Sequence, residues 1–427
     1  MFGRLRGSAG AGVLAVVRPV SAPGSASADL VDSAYAWLRL ALLLALGAIG
    51  SAAMWVASVA VPQMQAAFGV SRAAATLPYT ATTLGFAVGG ILMGRLGDRF
   101  GVLAPVLAGT ASLALGLALG GFTQSLAQLA VVQFVLIGML GSSAFFGPLV
   151  ADSSMWFRRR RGIAVAICAC GNYVAGAIWP PITQRMFDAI GWRETYLWMA
   201  GVTLVAIAPL AIAIGRRRPP AQSASVAVSA AHHVAGLGSN ALQVLLALAA
   251  LSCCVAMAMP QVHIVSYCGD LGYGPARGAE MLSLMMAFGI VSRIGSGFMA
   301  DRFGGMVSLM IGSIAQAVAL FFYLFFTSLP SLYLISAMFG LFQGGIVPSY
   351  AIIVRETMPA SEAATRVGIV IFASVVGMSF GGWISGVIFD LTGSYAAAFA
   401  NGVGWNLLNV AIVLMLLLRG RQRLAAA

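Results

Sequence analysis

Long apolar stretches alternate with short polar ones along the whole chain. Twelve of the apolar runs are long enough to cross a bilayer, which takes about 20 residues of helix. In the first half they fall at about 38–62, 73–95, 102–122, 126–151, 162–186 and 194–215. The second half repeats the pattern at about 241–267, 277–299, 305–327, 331–354, 366–389 and 394–418. The predicted fold is all-α: a polytopic membrane protein with twelve transmembrane helices in two pseudo-symmetric six-helix bundles. The expected organisation is a disordered tail over 1–36, a bundle over 37–215, a linker over 216–240, a second bundle over 241–418 and a short tail over 419–427.

Composition agrees with the pattern. Charged residues are 8% of the chain, where soluble domains carry about a quarter, so a soluble class is excluded. The net charge is +12, and all 24 cations are arginine. They sit in short loops between apolar runs and not on one recognition face, so nucleic-acid binding is not expected. With the N-terminus inside, Arg4, Arg6, Arg18, Arg39, Arg95, Arg99, 158–161, 216–218, Arg302, Arg355, Arg366, Arg419, Arg421 and Arg423 are cytoplasmic. Only Arg72, Arg185, Arg193 and Arg277 then lie outside, and that bias sets both termini in the cytoplasm. The expected location is the inner or plasma membrane. Residues 1–36 place arginines around a short apolar run, like a signal peptide, but the run is too short and has no convincing cleavage site. The segment after Arg216 is rich in Pro, Ser and Ala and reads as a flexible linker. The five cysteines have neither metal-ligand nor disulfide spacing and read as reduced packing residues. No metal site and no cofactor are expected.

The two halves match at a nearly fixed offset. Gly94-Arg-Leu-Gly-Asp98-Arg99-Phe-Gly101 has a twin in Gly297-Phe-Met-Ala-Asp301-Arg302-Phe-Gly304, 203 positions on. Pro148 matches Pro348, Asp152 matches Glu356, Arg161 matches Arg366, and Phe187-Asp188 matches Phe389-Asp390. An even number of helices per half gives the copies the same orientation, related by an axis along the membrane normal. Arg293, inside the eighth run, has no twin, because the equivalent position is Gly90.

Twin GxxxDRFG loops after the second and eighth runs, twelve spans and a long central linker resemble the major facilitator superfamily, from about residue 37 to 418. The resemblance implies that fold and a transport role. It also places Asp98 against the start of the eleventh helix, near Arg366 to Gly368, where a carboxylate is favoured. Arg99 would then pair with Asp152. By the repeat, Asp301 would face the fifth helix near Gly162, and Arg302 would pair with Glu356. Together these six residues would latch the cytoplasmic side shut when the carrier opens outward.

Two further stretches resemble the monocarboxylate-porter and oxalate–formate-antiporter branch. One runs from Trp156 through Arg161, Gly171-Asn172-Tyr173 and Gly176 to Trp179-Pro180-Pro181 and Gly191-Trp192-Arg193. The other is His263-Ile-Val-Ser-Tyr267-Cys-Gly-Asp270-Leu-Gly272, leading to Arg293. In that branch the arginine of the eighth helix binds the substrate carboxylate, a role the resemblance gives to Arg293. Monocarboxylate porters carry an Asp one turn before it, where this chain has Gly289. The Lys residues the branch uses in the first or eleventh helix are also absent.

Arg293 lies eight residues before Asp301, so about 12 Å inside the membrane at 1.5 Å per residue. It cannot escape burial by losing its proton, and its planar fork suits a carboxylate. With no acid in the central part of any span, the counter-ion is expected to be the substrate; the alternative is an arginine that snorkels to the cytoplasmic interface or is bonded to carbonyls for structure. His263 and Tyr267, one turn apart, are candidates for a coupled proton and a hydroxyl donor. Tyr79, Asn172 and Tyr173 are candidate polar contacts, and Trp55 a candidate wall for an organic group. Glycine spacings at Gly85/Gly89, Gly377/Gly381 and Gly382/Gly386 read as close helix packing. The expected function is secondary transport of a small organic anion, a monocarboxylate, by alternating access with proton symport or anion exchange. The expected partners are that anion, protons and the bilayer, with the protein acting as a monomer. The alternative is a drug or metabolite exporter of the same superfamily. A non-transporting sensor would need a signalling domain, and an enzyme a nucleophile–base pair or metal cluster; the sequence offers none of these.

Overall fold

The computed structural model describes residues 30–215, 238–359 and 362–426. The parts of the expected tail over 1–29 and linker over 216–237 lie outside the described residues. Twelve helices are long and apolar enough to span a membrane. They are α1 Ala34–Val59, α2 Leu77–Phe100, α3 Leu103–Phe122, α4 Leu126–Met155, α5 Arg161–Ile190 and α6 Trp192–Gly215. After the undescribed segment come α7 Ser239–Asp270, α8 Pro275–Phe303, α9 Gly305–Phe322, α10 Leu329–Thr357, α11 Thr365–Thr392 and α12 Tyr395–Arg419. No strand occurs among the described residues. In a bilayer every backbone polar group must find an internal partner, which helices supply within each segment.

The first six helices pack together through α2 on α4 and α3 on α6. In the second six the equivalents are α8 on α10, and α7 packs on α11 and α12. The bundles meet along α5 and α8, and along α11 and α2. These two seams exchange under the repeat that relates the halves, as an axis along the membrane normal requires. One end of the molecule carries Arg95, Arg99 and the run 158–161 and is termed the basic face. The far face carries the short helix Arg72–Ala75 and the ends of α7 and α11.

Glycine sets how close the helices come. A Cβ on Gly85 would lie 2.2 Å from the Phe134 carbonyl oxygen, and one on Gly89 2.0 Å from that of Met139, both on α4. The repeat does the same on α10, where a Cβ on Gly340 would lie 2.1 Å from the Met285 oxygen of α8. Gly377 and Gly381 fit against the carbonyls of Leu251 and Val255 on α7. Gly340→Val is therefore expected to lower the unfolding temperature of the purified protein by the equivalent of about 1–3 kcal/mol, the range for overpacked contacts. Thermal unfolding in detergent followed by tryptophan emission measures it.

Besides α1, which breaks at Ser51, three spans are interrupted. In α4 a π-helical turn at Gln133–Met139 and a 3₁₀ turn at Ser142–Phe145 separate its two α segments. The helix of α5 breaks between Ala169 and Gly171. That of α10 breaks between Gln343 and Ile346. Interruptions of this kind leave carbonyls that the helix does not satisfy.

Candidate functional site

Arg293 sits ten residues before the end of α8, about 15 Å from that end by helix rise. Its guanidinium spans the seam between the bundles. Nη1 donates to the carbonyl of Ala169 on α5 at 2.9 Å, and Nε donates to that of Gly344 on α10 at 3.3 Å. Both acceptors are left over by the helix breaks. The residue four on from Gly344 is Pro348, which has no N–H to offer it. Ala169 is the last residue before α5 turns out of helix at Cys170. The guanidinium carbon also lies 4.6 Å from the centre of the Tyr173 ring, a cation–π contact. Among the described residues no carboxylate pairs with Arg293, and Nη2 makes no hydrogen bond.

Three other candidates join it. The Tyr173 ring occupies the space over Gly289, where a Cβ would lie 2.4 Å from a ring carbon. The side chain that the branch resemblance places one turn before the arginine is thus replaced here by a ring from the opposite bundle. Trp55 on α1 is 4% exposed and lies against Gly176, where a Cβ would meet its ring at 2.7 Å. Its indole N–H donates to both the backbone and side-chain oxygens of Asn172, at 2.9 and 3.0 Å. Trp55, Asn172, Tyr173 and Arg293 therefore form one cluster from α1, α5 and α8.

His263, Tyr267 and Tyr79 are not in that cluster. His263 is fully buried beneath the far face. Its Nε2 faces the Gly382 carbonyl at 2.8 Å and must donate to it, which leaves Nδ1 to accept from the Tyr395 hydroxyl at 3.4 Å. Tyr395 in turn accepts from Arg72 Nη1 at 2.6 Å. Tyr267 packs edge-on against Tyr395 and Phe399. Tyr79 lies beside Gly382, in the seam between α2 and α11.

Arg72 is the centre of a clamp that the sequence reading missed. It pairs with Asp270 at 3.1 Å, and its ring neighbours are Phe389 and Tyr395. The backbone N–H groups of Arg72 and Ala73 both donate to the Asp390 carboxylate at 2.8 Å. Arg72 belongs to the first bundle and its partners to the second, so these bonds hold the far face shut. Thr83 and Ser379 join hydroxyls at 2.6 Å just below. The signal available was Asp390 in the Phe-Asp repeat; its twin Asp188 only accepts from Gln184 within one helix. Asp390→Ala is expected to shift the closed-to-open ratio of the far face by about ten-fold or more, the loss of two charge-assisted hydrogen bonds. Pulsed electron–electron distances between spin labels at positions 70 and 391 would lengthen.

The basic face departs from the expected latch. Asp152 does not meet Arg99. It takes Arg39 of α1 in a two-pronged pair at 2.8 and 2.9 Å, both residues buried. The fourth helix turns its acid inward, and only an arginine from the same bundle reaches it. Arg99 instead lies over Phe100. Glu356 accepts from the backbone N–H of Gly305 at 3.3 Å and not from Arg302, which lies over Phe303. Asp98 and Asp301 are exposed. No cross-bundle hydrogen bond or ion pair closes this face among the described residues.

Residues 42–335 and 297–426 match the family model of the Major Facilitator Superfamily. MFS-type transporter pynF of Aspergillus niger is 25% identical over 332 residues, 77% of this chain and 75% of that protein. Monocarboxylate transporter 13 of Bos taurus is 27% identical over 316 residues, 71% of each. The fucose:proton symporter of E. coli shares the fold, with a TM-score of 0.61 at 14% identity over 90% of this chain and 99% of that one. Matched along almost its whole apolar length, this integral membrane protein belongs to the Major Facilitator Superfamily and is a transport protein, not an enzyme.

Proposed function

We propose that the protein is a secondary carrier that moves a small organic anion, a monocarboxylate, by alternating access around Arg293. The observation that carries this reading is a guanidinium deep in the apolar seam, permanently charged, with carbonyls and a ring for company but no acid among the described residues. An incoming carboxylate is the counter-ion such a group lacks, and the free Nη2 beside Nη1 offers it a fork. Trp55 and Tyr173 supply an apolar wall beside that fork, suited to the organic part of the substrate. The name of the bovine relative points to the same substrate class. The arginine bias supports a basic face and both termini in the cytoplasm of an inner or plasma membrane. A far face that is clamped and a basic face that is unlatched fit a carrier caught open toward the cytoplasm. Asp98, Arg99, Asp301 and Arg302 would close that face in the opposite state. The carrier works as a monomer with no cofactor.

The test is uptake by proteoliposomes holding the purified full-length chain. Labelled lactate, pyruvate and benzoate are compared with a neutral sugar and an organic cation. Saturable uptake of a carboxylate, competed by other carboxylates, supports the reading. Transport of the cation or the neutral solute alone would replace it with the exporter reading.

A further inference from the structure

Arg293 holds one carbonyl from each bundle. Gly344 lies in its own bundle, but Ala169 and the Tyr173 ring lie in the other. The remaining described cross-bundle hydrogen bonds lie closer to the far face: the Arg72 clamp, Thr80 and Thr83 with Ser379, and the Ser283 hydroxyl donating to the Ala177 carbonyl. The bond to Ala169 is thus the tie nearest the cytoplasmic opening. Rocking one bundle on the other slides α5 against α8, and a 2.9 Å hydrogen bond with a ring contact at 4.6 Å does not survive a slide of several ångströms. When the carrier is empty, breaking the tie strands a charged fork and an unpartnered carbonyl in an apolar seam. A substrate carboxylate that takes Nη1 and Nη2 removes Nη1 from Ala169 and supplies its charge in exchange. Loading and untying are then one event.

We propose that this tie restrains the empty carrier, so that the protein works as an obligatory exchanger of carboxylates and not as a proton-driven symporter. The inference rests on the carboxylate reading of Arg293. Among the described residues no acid shares the fork, so no carboxyl there takes up a proton as substrate binds. His263, the one histidine in a span, bonds through both ring nitrogens inside the far-face clamp, where Arg72, Asp270, Asp390, Tyr267 and Tyr395 surround it and Arg293 does not.

The experiment uses full-length chain in proteoliposomes and labelled lactate, pyruvate and benzoate, one at a time. Each is offered to empty vesicles and to vesicles preloaded with the same unlabelled acid, with and without an inward proton gradient. Preloading is expected to raise initial uptake about ten-fold or more, the effect of one charge-assisted hydrogen bond, and the gradient to change it little. Tyr173→Leu, which removes the ring from the guanidinium, is expected to raise uptake into empty vesicles and lower the ratio. Tyr173→Phe, which keeps the ring, is expected to keep it. Equal uptake into empty and preloaded vesicles by the wild type overturns exchange while the carboxylate reading stands. No uptake into either overturns that reading itself. A wild-type ratio that Tyr173→Leu leaves unmoved in monodisperse protein overturns the tie as its cause.

Discussion

Arg293→Gln is expected to reduce saturable carboxylate uptake by about a hundred-fold or more, with the protein still folded. Glutamine is two bonds shorter and its amide nitrogen falls near the position of Nε, so the carbonyl of Gly344 retains a partner while that of Ala169 loses one. It removes the positive charge and the fork. Losing one partner of a desolvated, hydrogen-bonded charge pair costs about 2–5 kcal/mol, and every 1.4 kcal/mol is about a factor of ten. In the proposed cycle the carboxylate meets Arg293 before and during reorientation, so the loss should appear in both apparent affinity and maximal rate. Arg293→Lys keeps the charge without the fork and is expected to fall between wild type and Gln. A Gln variant that transports carboxylates normally would make the arginine a structural brace between α5, α8 and α10.

Asp152→Ala is expected to destabilise the protein by about 3–5 kcal/mol, because it strands Arg39 in a dry site. Arg39 is 2% exposed and Asp152 1%, so water cannot replace the lost partner. The arginine also donates to the Ile214 carbonyl at the end of α6 and lies 4.6 Å from the Trp156 ring. One side chain thereby ties α1, α4 and α6 at the basic face. Arg39→Met with Asp152→Leu replaces the pair by apolar groups of similar volume and is expected to recover most of the loss, since a buried pair gains little over good packing. Unfolding temperatures of the two single variants and the double variant, measured in one detergent, give the coupling between the residues. Additive losses would show that the pair is not coupled.

The sequence made the spans, the repeat and the depth of Arg293 readable because each depends on local composition. Twenty apolar residues announce themselves wherever they later pack, and a lone arginine among them is conspicuous. Arg39 and Arg72 were readable only as loop charges, because each sits within a turn or two of a span end, where topology alone explains an arginine. Whether such a residue reaches inward depends on helix rotation, which a nearly uniform apolar run does not reveal. The repeat misled at Asp152 for a related reason. Asp152 and Glu356 match in sequence, but one is buried on Arg39 while the other caps a backbone N–H. The orphan carbonyl at Gly344 could be foreseen from Pro348 four positions later; the side chain that fills it comes from another helix, and no local pattern names it.

Gly289 gives the duplicated fold a point where the halves are no longer interchangeable. Its bare α-carbon is the socket for a ring from the other bundle, so the two positions form one trait written in two distant parts of the chain. Any side chain at 289 evicts Tyr173 and uncovers the cation. An acid there would balance the cation again, but it would bring a titratable group into the heart of the membrane and open the cycle to protons. Drift at either position is therefore constrained by the other, and a change of driving force for a carrier built this way begins with a glycine and a tyrosine changing together.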